Sequence, residues 1–317
     1  MGESNPAGNL LREVVLAVGM IAIIVLGMWA HTGSMPPLVV VESNSMQHDD
    51  SGEIGTIDAG DLVMVHSPEK RDIITWAEAT QESSIHYGYE TLGMPGDVII
   101  YKRNGEDVST PIIHRALFEI VVGETVPHNS EGDCDEGILW EDECVISWTV
   151  PGTDQVNVAN ISIEFNGQGL GAYPCYGVAA AHGQVWFGFE EYSPRNPGFI
   201  TLGDNNNCGD DQGVFSFTQG ISSSLSGAVR PVIDDWVIGI AGAEIPWLGT
   251  VKLLVSGGEP GASEVPGASF LFLIGFVGTV LVIPMLIEPM IRRILSNSPE
   301  MEQAEKEDAM ASYYEEE

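Results

Sequence analysis

Ser45 stands in the run VVVESNSMQHDD, where an apolar segment gives way to a polar turn. A serine hydroxyl attacks a carbonyl only when a base takes its proton, so the chemistry to look for is nucleophilic catalysis with a histidine partner. His114 lies in PIIHRAL, an apolar segment interrupted by a histidine and an arginine. Imidazole, with an ordinary pKa of about 6.5, can take a proton from serine and return it to a leaving amine. His48, three residues after Ser45, is the rival base. An acid is needed to orient the imidazole and stabilise its cation. The run FITLGDNNNCGDD offers Asp204, Asp210 and Asp211 for that role. The same Gly, Asp and Asn run also suits a purely structural turn or an oxygen-ligand calcium loop, although the spacing of an EF-hand is missing.

These residues are separated by segments that read as short strands between Gly, Asp, Asn and Pro clusters. Expected strands cover 38–41, 61–66, 97–102, 112–122, 145–150, 156–165, 185–189, 199–202 and 236–241, with 72–89 as the helical or loop exception. The fold class is therefore mainly β. The catalytic core is expected in two parts, 37–122 and 198–256, separated by an inserted β-rich lobe at 123–197 that carries three of the four cysteines. Cys134, Cys144, Cys175 and Cys208 allow three disulfide connectivities. Cys134 with Cys144 is the expected pair, being close in sequence and closing a short acidic loop. A structural zinc site is disfavoured because no C-x-x-C pair is present.

Two uncharged apolar runs flank this β region, 17 residues at 14–30 and 20 residues at 268–287. Both reach the length that crosses a bilayer core. The first is expected to be an uncleaved anchor after a short cytoplasmic N-terminus, 1–13, since it exceeds a usual signal-peptide core. A linker at 257–267 leads into the second. Arg292 and Arg293 follow it, and basic residues favour the cytoplasmic side, so the acidic tail 288–317 is expected there and the β region outside. The composition has 46 acidic against 12 basic residues, a formal net charge of -34. Phosphate recognition depends on Lys and Arg, so nucleic acid is excluded as an expected partner. Such an acidic surface fits a salt-rich habitat, where its self-repulsion is screened.

Taken in order, the motifs resemble signal peptidase I of the archaeal and endoplasmic-reticulum type. The resemblance rests on Ser43-Asn44-Ser45-Met46, the IDAGDLV run at 57–63, Gly96-Asp97-Val98-Ile99, Ile113-His114-Arg115, Gly203-Asp204-Asn205-Asn206 with Asp210, and GIAGAEIPWL at 239–248. It covers roughly 39–250. It implies a signal-peptidase-like β ectodomain, Ser45 as nucleophile, and His114 where bacterial relatives use a lysine base. It also implies Asp204 and Asp210 as the family's two acidic positions, with Asp210 ranked first as the orienting acid. Ser43, with the Ser45 backbone N–H, would supply the oxyanion hole. The sequence departs from the family in the long acidic stretch after Gln47 and His48 and in the enlarged segment 123–197.

The expected activity is removal of N-terminal signal peptides from secretory preproteins after small residues, on the extracytoplasmic face of the cell membrane. Partners implied by the resemblance are those preproteins, the Sec translocon and the lipid bilayer. Neither metal nor organic cofactor is implied. The alternative is a non-catalytic, membrane-tethered envelope or binding protein with a disulfide-stapled β ectodomain; a related processing enzyme with a restricted set of precursors is a closer rival.

Overall fold

The first apolar run forms helix α1, Pro6–Thr32, and the chain passes without a linker into strand β1, Gly33–Val40. The computed structural model describes residues 6–48, 54–165, 187–206, 209–215, 220–223, 225–256 and 261–296. The end of a helix leaves carbonyls without intrahelical donors. Here Lys70 Nζ donates to the carbonyls of Ala30 at 2.8 Å and His31 at 3.3 Å. The Ser67 N–H donates to the Thr32 carbonyl at 2.9 Å. A cation in this place also opposes the negative end of the helix dipole.

The other strands of the main sheet are β2 (Leu62–His66), β3 (Val98–Tyr101), β4 (Ile112–Val122), β5 (Trp148–Thr149), β6 (Gly198–Leu202) and β7 (Val237–Ile245). Among the described residues they form a seven-stranded sheet in the order β1-β2-β7-β3-β4-β5, with β6 also paired to β4. Every pairing is antiparallel. Strand β4 is the hub, and seven of its eleven residues are buried, on both faces. That explains its near-continuous apolar sequence, since a strand covered on both sides does not alternate. The segment 72–89 holds one short helix, α2 (Trp76–Thr80), begun by a capping box in which Thr75 and Glu78 exchange hydrogen bonds.

Three structural details sharpen the expected domain plan. The expected strand 145–150 is divided, with Glu143–Val145 in a small three-stranded sheet and Trp148–Thr149 on the edge of the main one. The described part of 123–197 shares a core with the main sheet. Its Val145, Trp148, Val150, Ile161 and Phe189 pack in one cluster with Trp76, Phe118, Ile200 and Phe215. This lobe is thus an extension of the core, with no separate hydrophobic centre among the described residues. Cys134 and Cys144 are disulfide-bonded, as expected, while Cys175 and Cys208 lie outside the described residues.

After β7 the chain forms α3, Thr250–Ser256, and then α4, Gly267–Ser296. Helices α1 and α4 hold 27 and 30 residues, so nearly all the helix in the described chain lies in its two apolar runs and the rest is mainly β. Leu10–Thr32 and Gly267–Pro289 are each long and apolar enough to cross a membrane. Their side chains are largely exposed, unlike those of a core helix, which supports membrane association.

Candidate active site

The turn that carries Ser45 is fixed from both sides. Met46, next to it, is buried in a cluster with Val41, Ile57, Val63 and Val98. On the other side the loop after β6 grips the turn's backbone. The Asn205 N–H donates to the Ser45 carbonyl at 2.8 Å, and the Asn205 side-chain amide donates to the Asn44 carbonyl at 2.9 Å. Ser43 Oγ stands 3.3 Å from Ser45 Oγ. Gly203 makes this approach possible. A Cβ there would lie 2.7 Å from His114 Nε2 and 2.8 Å from the Ser45 carbonyl, closer than real Cβ contacts come.

His114 is held on β4 opposite Ile99 of β3 and is buried. Its Nε2 is 2.9 Å from Ser45 Oγ, and its Nδ1 is 2.6 Å from Asp211 Oδ2. An Nδ1–H donated to Asp211 leaves Nε2 as the acceptor for the serine proton, the tautomer that a general base requires. The Asp211 backbone is fixed by its own N–H, which donates to the Thr201 carbonyl at 2.9 Å. Serine, imidazole and buried carboxylate thus form one hydrogen-bonded line, the geometry of an activated nucleophile.

The acid in this line is Asp211, and the ranking of Asp210 first is corrected. Asp210 accepts from the N–H groups of Val214 at 2.7 Å and Phe215 at 3.0 Å, which closes the turn. Asp210 is an isolated bridge residue paired with Leu202 and Asp211 begins the turn, so Asp210 bonds within the turn while Asp211 reaches His114. Asp204 does not reach His114 either. It is fully buried and bonded to Arg115 Nε at 3.0 Å, Arg115 Nη2 at 2.7 Å and His48 Nε2 at 2.9 Å. Burial alone would raise its pKa, but the Arg115 guanidinium and the hydrogen bonds from Arg115 and His48 outweigh it and hold the carboxyl well below the usual range. His48, the rival base, is thereby engaged on Asp204 rather than on Ser45. Arg115 also donates to the carbonyls of Thr91, Leu92, Met94, Pro95 and Gly96, so the pair binds the short hairpin of Glu90–Thr91 with Met94–Pro95 to the loop after β6.

No protein-family model matches the chain, and no curated protein matches it by sequence.

The remaining motifs are structural. Asp97 is buried and accepts from Arg71, from Tyr89 at 2.8 Å and from the Ile74 N–H at 2.8 Å. Asp61 accepts from the N–H groups of Asp58 at 2.9 Å and Trp247 at 2.8 Å, which ties the IDAGD turn to the IPW turn after β7. Gly60 has φ +98°, and a Cβ there would strike Thr250 Oγ1. Among the described residues, no group of three or more His, Cys, Asp or Glu could hold a metal ion. Two residues at the site were not singled out from sequence, Tyr101 and Thr201, whose hydroxyls both reach Asp211 Oδ2. Their sequence carries no mark of this role, which strand pairing creates. Tyr101 pairs with Ile112 and Thr201 with Ala116, and Ile112, His114 and Ala116 share one face of β4.

Proposed function

We propose that this chain is a membrane-anchored serine endopeptidase of the signal peptidase I kind, acting on secretory preproteins that end their signal peptide in small residues. The observation that carries the proposal is the line Ser45 Oγ to His114 Nε2 to Asp211 Oδ2, at 2.9 and 2.6 Å, on a turn one strand beyond an apolar helix. Further support comes from the ordered motifs that resemble that family.

In the proposed reaction Ser45 Oγ attacks the scissile carbonyl while its proton passes to His114 Nε2. The C–N bond then breaks, the amine leaves with that proton, and an acyl ester remains on Ser45. Water, deprotonated by the same nitrogen, attacks the ester, and the proton returns to Ser45 as the new carboxylate departs. Asp211 remains ionised throughout and stabilises the imidazolium. Ser43 Oγ and the Ser45 N–H would receive the oxyanion. An extended substrate would add its backbone to a strand edge of the sheet, with small pockets selecting side chains near the cut. In this reading the active site lies on the extracytoplasmic side, next to the Sec translocon, with both apolar helices in the bilayer.

The test is cleavage of a preprotein by the full chain reconstituted in vesicles, across a range of salt concentrations. The wild type is expected to release the mature protein and Ser45→Ala to release none. Equal processing by the Ser45→Ala protein would overturn the assignment.

A further inference from the structure

Three side-chain donors among the described residues converge on a single oxygen of Asp211. Oδ2 lies 2.6 Å from His114 Nδ1, 2.8 Å from the Tyr101 hydroxyl and 2.6 Å from Thr201 Oγ1. The other oxygen, Oδ1, is buried with no hydrogen-bond partner among the described residues. The direction of each hydrogen follows from its neighbours. The Thr201 N–H donates to Gln212 Oε1 at 2.9 Å, which leaves the Gln212 Nε2 to donate to Thr201 Oγ1 at 3.2 Å. Thr201 Oγ1 also lies 3.1 Å from the Tyr101 hydroxyl, but the carboxylate at 2.6 Å is the nearer and charged acceptor, so the single hydroxyl hydrogen of Thr201 goes to Asp211. Tyr101 is fully buried. Burial first, and then the charge of Asp211, push its phenol well above the usual pKa, so it remains a neutral donor at any working pH.

We infer that Tyr101 and Thr201 are positioning residues for the proposed relay: their hydroxyls lock Asp211 Oδ2 onto His114 Nδ1 and restrain the basicity that this oxygen presents to the imidazole. The inference rests on the peptidase reading for its catalytic consequence, but its electrostatic content stands on the geometry alone. A carboxylate oxygen that accepts from two hydroxyls has part of its charge drawn off. With one hydroxyl removed, the carboxylate would hold the imidazolium more tightly, so His114 would titrate at higher pH. Few other groups compete for control of that titration. Arg115, adjacent on β4, points to the opposite face and is balanced by Asp204 with His48, and the hydroxyl of Ser45 faces Nε2.

The experiment uses the full chain in detergent micelles with isotope-labelled histidine, in the Ser45→Ala background so that no turnover intervenes. Tyr101→Phe keeps the ring and removes the donor. It is expected to raise the His114 titration midpoint by about 0.5–1 pH unit. Thr201→Val should move it in the same direction, and Thr201→Ser should restore it. If Tyr101→Phe fails to fold, the Thr201 pair carries the test. With Ser45 intact, Tyr101→Phe should lower kcat about tenfold with KM unchanged and shift the acid limb of the pH profile upward. An unchanged or lowered midpoint in the folded variants overturns the inference. If the midpoint rises but the wild-type chain cleaves no preprotein, the peptidase reading fails and the positioning role stands. Cleavage with an unmoved midpoint leaves the peptidase reading in place and removes the positioning role.

Discussion

Strand β4 presents two consecutive buried ionisable residues, His114 and Arg115, to opposite faces of one sheet, and each meets an aspartate from the loop after β6. On the Arg115 face, the pair with Asp204 joins two permanent charges, and the guanidinium spends its other hydrogens on five hairpin carbonyls. On the His114 face, Asp211 meets a group that can lose its charge, supported among the described residues by neutral hydroxyls. The first arrangement is closed: every hydrogen has a structural use. The second leaves one imidazole nitrogen turned toward a serine. Both aspartates are buried, and the decisive difference is whether the partner can exchange a proton.

Breaking the His114 face should cost activity and little stability. Ser45→Ala or His114→Ala is expected to lower kcat by on the order of 10⁴-fold or more, while the melting temperature stays close to that of the wild type. Asp211→Asn should come next, with a loss of about 10⁴-fold from the wrong imidazole tautomer. Asp210→Asn should retain most activity, because the amide oxygen still accepts from one of the two turn N–H groups and the His114 line is untouched. Preprotein cleavage beside thermal unfolding measures both, and equal losses from Asp210→Asn and Asp211→Asn would contradict the assignment.

Breaking the Arg115 face should do the reverse. Asp204→Asn leaves a buried guanidinium without its counter-charge, and a loss of about 3–5 kcal/mol is expected in denaturant unfolding. The pH dependence follows from the sign of the shift. Because the folded-state pKa of Asp204 is depressed, its stabilisation is fully present above the ordinary carboxylate range and is lost as pH falls below it. The Asp204→Asn protein should therefore show a flatter acid limb of stability than the wild type.

Gly203 sits between the two faces. Gly203→Ala should force Ser45 and His114 apart and lower kcat/KM by roughly 10²-fold, a misplacement effect visible in kinetics before it is visible in unfolding.

The smallest effect concerns a third carboxylate. Glu244 on β7 is raised to about 7 by burial, against the Gly55 N–H, and by the nearby Asp61 and Asp58. A carboxyl raised on folding penalises the folded state as pH climbs from the ordinary range through about 7. Glu244→Gln should therefore raise the melting temperature by a few degrees, about 2–4 °C, at pH 8 and leave it unchanged at pH 4.

Much of the comparison was legible in the sequence. The strand 112–122 was readable at its observed bounds because β4 is long, apolar and bounded by turn residues. Ser45, His114 and the acidic loop were each identifiable by residue type. The choice among Asp204, Asp210 and Asp211 was not, since it depends on which way each side chain leaves a loop after a bulge between Ile200 and Thr201. Local composition is nearly the same around all three. Tyr101 and Thr201 were hidden for a related reason: both look like ordinary strand residues until three strands and a loop bring their hydroxyls to one atom. The lobe at 123–197 read as inserted because its glycines and cysteines change the composition, and the apolar side chains of its described part share the main core.

The junction of α1 with β1 has a mechanical consequence. With no linker between Thr32 and Gly33, and with Lys70 clamped onto the last carbonyls of the helix, rotation of α1 carries the edge of the sheet with it. If α1 spans a bilayer, the lipid thickness that sets its tilt also sets the angle at which the serine turn meets an incoming chain. Mismatch costs only fractions of a kcal/mol per Å. In that case a joint held by these contacts would turn that small cost into displacement at a distance and make the surrounding lipid a tuning variable for the proposed reaction.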